Sequence, residues 1–310
     1  MKHLGLSVFV ICVCATSSPA QAQDTRMVDV DGHQMHVLTI GLENAESGSP
    51  VVVFEAGFGR DGISAWRRIV QDVAEFAPIV AYDRAGIGES EPDGDRPTPE
   101  HVAENLHSLL GVLGAEPPYV LVGHSLGGPF IRMFTALYAD EVVGLVQVDP
   151  SLTLSEQAER EMLKAAGFPD SEEYWQRLWD SAREMLAEMP TPGMRAQAEV
   201  LLELSETHWS NFQVLPPVPD IPVSILMAVR FRPGRTAPAH GIQPTCEPRE
   251  CYTRRKEATM LWLSALAAEV TNGTLTVVTN SGHFIQNDDP DLVVWNIRRV
   301  VDASPPQRRP

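Results

Sequence analysis

Gly123-His124-Ser125-Leu126-Gly127 follows the apolar run PYVLV and precedes PFIRMFTALYA, which places a G-x-S-x-G pentapeptide between a strand pattern and a helix pattern. That context points to nucleophilic chemistry. The sharp turn strains the backbone at the serine, and a side chain at either flanking glycine would collide across it. Ser125 is thereby lifted to the sheet edge, and the amides that open the following helix, with the helix dipole behind them, face any oxyanion formed there. A serine hydroxyl also needs a base. Of the histidines that follow, His208 falls in a helical stretch, His240 in a Pro/Gly-rich loop, and His283 in TVVTNSGHFIQNDDP, just past the last strand and before a helix opened by Asp289 and Pro290. This placement sets His283 beside Ser125 at one sheet edge. His124 points away from the nucleophile on the turn, His33 and His36 sit on an early hairpin, and no metal motif emerges from any of them.

A second glycine pattern competes. GFGRDG, residues 57–62, follows the run PVVVF and fits G-x-G-x-x-G, with Asp83 at the end of the next apolar run, roughly 20 residues on, where a ribose partner belongs. Taken alone, it reads equally as a pyrophosphate loop or as a loop that lends backbone amides to some other anion.

The elements that must position these residues alternate strictly. After a hairpin about Asp31-Gly32, the runs PVVVF, PIVAY, PYVLV, VVGLVQV, PVSILMAV and TLTVV are separated by the helical stretches ISAWRRIVQDVAEF, PEHVAENLHSLLGVLG, PFIRMFTALYA and RRKEATMLWLSALAAEV. Continuously apolar strands alternating with helices predict an α/β fold, a parallel sheet covered on both faces. The alternation breaks between Ser151 and Pro219, where helical periodicity carries no strand. There Trp175, Leu178, Trp179, Ala182 and Leu186 fall on one helix face, and a helical cap over the sheet's C-terminal edge is expected, where open α/β sheets bind ligands. With Trp209, the residues Trp175 and Trp179 are candidates for an apolar acyl or aryl pocket, although core packing explains them equally well.

Composition narrows the class. The chain has 310 residues, 44% hydrophobic and 21% charged, which is enough for a substantial core. Lys2, the apolar segment LGLSVFVICVCA and the small residues Ala20 to Ala22 predict a cleaved leader over 1–22, hence export to a periplasmic or extracellular location. The leader's apolar segment is too short to span a bilayer, and no stable membrane anchor is expected. The net charge of −17 repels phosphate backbones and anionic membranes, so nucleic acid is an unfavourable partner. Cys246 and Cys251, in TCEPREC, are the cysteines left after the leader, and an oxidising compartment favours a disulfide between them. NGT at Asn272 matches a glycosylation acceptor, with a hairpin-like turn the plainer reading.

In VVVFEAGFG, VAYDRAGIGES, YVLVGHSLGG, VGLVQVDPS and NSGHFIQNDDP, taken in that order, the chain resembles the α/β-hydrolase superfamily over nearly all of its length after residue 22. The resemblance implies the α/β-hydrolase fold, with core segments 23–150 and 220–303, a cap over 151–219 and a disordered tail over 304–310. It also answers the second glycine pattern: in that family the loop after the third strand supplies an oxyanion amide. The Phe58 amide, paired with that of Leu126, is the expected donor, with Glu55-Ala56 standing where relatives often carry His-Gly. A dinucleotide loop would follow the first strand, and Asp83 becomes a structural residue of its loop. The acid partner is Asp149 of VQVDPS, or else Glu247 or Glu250, since no acid follows PVSILMAV before Glu247. Serine at the elbow, where dehalogenases and epoxide hydrolases of this fold carry a carboxylate, implies a cofactor-free serine hydrolase acting on a small ester, thioester, lactone or amide. An acyltransferase or perhydrolase with the same triad, and a non-catalytic binder on the same fold, remain the alternatives.

Overall fold

In the computed structural model, which describes residues 24–59, 62–169, 171–231 and 245–304, each of the six apolar runs becomes a strand. The hairpin is β1 (Asp24–Val30) and β2 (His33–Ile40), turning at Asp31 and Gly32 with φ of 50° and 91°, the left-handed pair that matches strand twist. The runs are β3 (Val51–Glu55), β4 (Ile79–Tyr82), β5 (Tyr119–His124), β6 (Val142–Val148), β7 (Val223–Ala228) and β8 (Gly273–Val278). They form one eight-stranded sheet in the order β1-β2-β4-β3-β5-β6-β7-β8, antiparallel at β1-β2 and β2-β4 and parallel elsewhere. The expected leader, His240 and residues 305–310 lie outside the described residues.

Side chains alternate across the sheet with period two. Val51 and Val53 join one core with α2 (Pro99–Leu113), α3 (Gly127–Leu137) and α8 (Pro248–Ala267), whereas Val52 and Phe54 join a second core with α1 (Val70–Ala74) and α10 (Pro290–Ala303). Both faces are therefore covered, as continuous apolar strands require.

Two helices differ from expectation. The ISAWRRIVQDVAEF stretch is a 3-10 turn over Ile63–Trp66 followed by the single turn α1, because the Ile63 amide is held by Asp83 Oδ1 at 2.8 Å and Trp66 is buried against Phe54, centroids 5.0 Å apart. Those two anchors set the chain into short i to i+3 turns before a regular helix can start. Helix α8 begins six residues before the predicted RRKEATM stretch, at Pro248, a favoured first helical residue.

Between β6 and β7 the described chain is helical only: α4 (Glu156–Ala165), α5 (Glu172–Ala187), α6 (Pro192–Glu206) and α7 (Ser210–Gln213). Val200, Leu204, Trp209 and Phe212 of this segment enter the α2-α3-α8 core, so its second half is seated on the sheet's frame. At the other end, Ser304, expected to head the tail, is buried and its hydroxyl donates to Val143 O at 2.9 Å. The ordered body thus extends through that residue. The remaining short helix is α9 (Ile285–Asp288), directly after His283.

Candidate active site

Ser125 has φ 52°, a left-handed conformation that costs a non-glycine residue of order 1–3 kcal/mol and persists only where surroundings enforce it. Here the Ser125 amide donates to Val148 O at 3.1 Å and its carbonyl accepts from Ser151 at 2.9 Å, which ties the elbow to the end of β6. The flanking glycines are sterically required: a Cβ on Gly123 would lie 2.5 Å from Gly127 O, and one on Gly127 would lie 2.2 Å from Glu55 O.

His283 follows β8 and Asp149 follows β6, and parallel pairing of β6 with β7 and of β7 with β8 brings their ends together. The His283 Nδ1 to Asp149 Oδ2 distance is 2.7 Å. Because a carboxylate only accepts, Nδ1 carries the proton and Nε2 keeps its lone pair for a proton taken from elsewhere. Asp149 itself stands at φ 41°, with Oδ1 accepting from the Ala228 amide at 2.9 Å and Lys256 Nζ 3.9 Å away. Burial alone would raise its carboxyl, but the hydrogen bond from His283, the Lys256 ammonium and the Ala228 amide outweigh burial and hold it below the ordinary value. Glu247 and Glu250 lie at the start of α8, and Glu250 pairs with Arg254 instead. Among the described residues, no hydrogen bond joins the Ser125 hydroxyl to His283 in this conformation.

His124, set aside on the turn, braces the site. Its Nε2 lies 2.9 Å from the carbonyl of His283, an acceptor, so Nε2 bears the proton and the ring holds the His283 backbone in place. Burial, and after it the neighbouring His283 imidazole, pushes its pKa down to about 4, so the brace is neutral at ordinary pH. Its only sequence signal was its place inside the pentapeptide. Lys256, a residue of α8, had none.

Leu126 directly follows Ser125 and is buried, whereas Phe58, directly after Gly57, is 37% exposed. Among the described residues neither amide N–H has a hydrogen-bond acceptor. The glycines of GFGRDG have separate steric reasons. A Cβ on Gly57 would come within 3.0 Å of Ser125 Cβ, Gly59 has φ 122°, and a Cβ on Gly62 would strike Asp83 Oδ1 at 1.8 Å. Asp83 is a structural hub, accepting from the amides of Ile63 and Glu89 and standing 2.9 Å from His36 Nδ1. A cleft of about 510 Å³ opens beside His283, lined by Asp149, Arg230, Tyr252, Arg255, Lys256 and Phe284 among others.

The three tryptophans take different places. Trp175 is 1% exposed, packed edge-on against His208 and Tyr174, and Trp179 tilts onto Trp175. Trp209 is buried against Phe212. Packing within the helical segment between β6 and β7 and against the α2-α3-α8 core accounts for Trp175 and Trp209. Cys246 and Cys251 are bonded to each other, just before and within the first turn of α8. Among the described residues no helix is long and apolar enough to cross a membrane.

A sequence model described as the alpha/beta hydrolase family matches residues 52–294. The uncharacterized protein YqjL of Bacillus subtilis is 33% identical over 106 residues, 34% of this chain and 42% of that protein. The matched part thus spans less than half of that relative. Lipase LipV of Mycobacterium tuberculosis is 27% identical over 189 residues, 54% of this chain and 70% of its own length. Among solved structures, the ligand-free epoxide hydrolase CorEH superposes with TM-score 0.59 at 17% identity, covering 91% of this chain and 99% of that one; at that identity the likeness establishes the fold.

Proposed function

The chain belongs to the alpha/beta hydrolase family, and on that premise we propose that it is an exported serine hydrolase that cleaves a carboxylic ester, or a thioester, lactone or amide, through Ser125, His283 and Asp149. The observation that carries this reading is the 2.7 Å bond from His283 Nδ1 to Asp149, beside a serine held at φ 52°.

In the proposed cycle His283 Nε2 takes the Ser125 proton as Oγ attacks the substrate carbonyl, and Asp149 stabilises the imidazolium. The Phe58 and Leu126 amides receive the oxyanion. The imidazolium then protonates the leaving alkoxide, thiolate or amine as its bond to the acyl carbon breaks. A water deprotonated by the same nitrogen attacks the acyl carbon, the bond to Ser125 Oγ breaks, and Oγ takes the proton back from the imidazolium as the carboxylic acid leaves. Residues 151–219 serve as the cap over this site. The leader over 1–22 and the Cys246–Cys251 bridge support export to an oxidising compartment. Serine at the elbow favours acyl transfer over the epoxide chemistry named for the structural neighbour.

A fluorophosphonate probe read by peptide mass spectrometry, with hydrolysis of nitrophenyl esters of increasing acyl length, tests the proposal. The expected result is a single adduct on Ser125 and activity that disappears in Ser125→Ala and His283→Ala. An unlabelled Ser125 in a protein inert on every ester would overturn it.

A further inference from the structure

Bonded to Gly57, the residue before Phe58, is a buried ion pair that the proposed cycle does not use. Glu55, the last residue of β3, is 1% exposed, and Arg84, two residues past β4, is 5% exposed. The Arg84 guanidinium pairs with Glu55, whose second carboxylate oxygen accepts from the Tyr82 hydroxyl. The same guanidinium donates to Ala56 O at 2.6 Å, to Gly57 O at 2.5 Å and to Gln197 Oε1 of α6 at 3.3 Å, and it lies over the Phe130 ring of α3 with its carbon 5.2 Å from the centroid. One side chain thus grips two successive carbonyls of the loop after β3 and one residue of the cap.

The peptide bond makes that grip directional. Gly57 C=O and Phe58 N–H belong to one planar trans unit and point in opposite directions. Holding the carbonyl toward Arg84 therefore fixes where the Phe58 N–H aims. Little slack exists, because Gly57 already packs on Ser125 and His124 closely enough that a Cβ would approach both at 3.0 Å. Glu55 keeps the guanidinium anchored and compensated. Stability alone gives weak grounds for such a pair, since apolar residues of like volume often hold a core equally well, whereas the planar fork of arginine supplies the geometry that two carbonyls, a carboxylate and an amide demand.

We propose that Arg84 is a positioning residue for the oxyanion site: it aims the Phe58 amide from behind and, through Gln197, links that aim to the seating of cap helix α6. The inference rests on the serine-hydrolase reading above. The residue acts through a backbone amide and does not touch substrate, so its loss falls on kcat and leaves ground-state binding alone.

The test compares Arg84→Lys, which keeps charge but loses the fork, the neutral double variant Glu55→Gln/Arg84→Met, and Gln197→Leu, with the unmutated protein. Each is assayed on a nitrophenyl ester and on the matched thionoester, whose sulfur is a poor hydrogen-bond acceptor and so profits less from oxyanion donors. Thermal midpoints and pH–rate profiles are recorded in parallel. Arg84→Lys is expected to lower kcat on the ester at least ~10-fold, short of the ~10²–10³ seen when an oxyanion donor is removed outright. KM and the acid limb of the profile stay in place, and the ester-to-thionoester preference narrows. The double variant repeats the pattern without leaving a lone buried charge, and Gln197→Leu shows a smaller loss of the same kind. If folded variants keep the ester-to-thionoester preference and lose only thermal stability, or raise KM at constant kcat, Arg84 is merely structural and the proposal is overturned. An unmutated protein that is inert on all esters and unlabelled at Ser125 brings down the parent reading, and this one with it. An active unmutated protein with an unchanged preference in the variants brings down this one alone.

Discussion

Helices α3 and α4 are nearly the same length and play opposite parts. In α3, Gly127, Gly128, Pro129, Phe130, Ile131, Met133, Phe134 and Thr135 are buried, whereas α4 fully buries nothing. The contrast runs through the molecule. The sheet and its flanking helices form two cores whose side chains are mostly inaccessible, while the helical segment 156–187 carries exposed intrahelical ion pairs such as Arg177–Glu173 and Arg160–Glu156. Buried apolar area is the main source of folding free energy, and exposed ion pairs contribute little. Every group in the proposed cycle stands on the frame. The helical segment between β6 and β7 reaches the loop after β4 through a buried polar link, Gln197 to Arg84. The proposed cycle thus draws its groups from the densely packed part of the molecule, where side chains are held by many neighbours.

The sharpest way to break this comparison is at the frame's own site. Asp149→Asn is expected to lower kcat by about 10³–10⁴ while the protein stays folded, because the amide favours the wrong His283 tautomer; steady-state rates alongside circular dichroism check both halves. Rates close to normal would move the acid role elsewhere.

Next in size is a pH effect on the frame. His124 titrates near 6.5 in the unfolded chain and at about 4 in the fold, where burial disfavours its charged form. The unfolded state therefore binds more protons between these values. The neutral brace contributes its full stability above pH 6.5, and about 3 kcal/mol of it is lost as pH falls from 6.5 to 4. Urea midpoints across that range, for the unmutated protein and His124→Gln, isolate the term: the difference between the two curves should shrink as pH falls.

A smaller effect concerns how α4 is fastened to the start of α8. The Cys246–Cys251 bridge sits where Thr245 donates to Gly167 O at 2.8 Å, just past α4. Closing so short a loop contributes about 2 kcal/mol at most. In Cys246→Ser/Cys251→Ser, amide exchange should quicken in α4 and at the start of α8 while β5 and α3 keep their protection. Equal quickening in β5 would mean that cap and frame open together. Smallest of all, Arg177→Ala on α5 removes a pair whose members are 53% and 73% exposed, and the thermal midpoint should not move measurably.

Much was legible because it is local. The period-two and continuous apolar runs, the helical stretches and the glycines around Ser125 obey constraints that act within a few residues, and the position of His283 after the last strand was readable in the same way. The shortened α1 was not legible, since its start depends on Asp83 and on the burial of Trp66. Nor was the contact of His283 with Asp149 in place of Glu247 or Glu250, which depends on strands β6, β7 and β8 lying side by side. The same holds for Trp175, whose helical spacing fits a packing face and a ligand face equally.

By itself, then, the sequence determined the alternation of strands and helices, the strained serine turn and the steric need for its glycines, because each follows from the covalent geometry of neighbouring residues. Only the tertiary structure decided who meets whom across long separations. Glu55 and Arg84 become a buried pair because β3 and β4 run parallel in a register that sets Phe54 against Ala81. His124 reaches the carbonyl of His283 across 159 positions of chain. Such contacts depend on strand order and register, which no local pattern encodes and which are settled when the two cores close over the sheet.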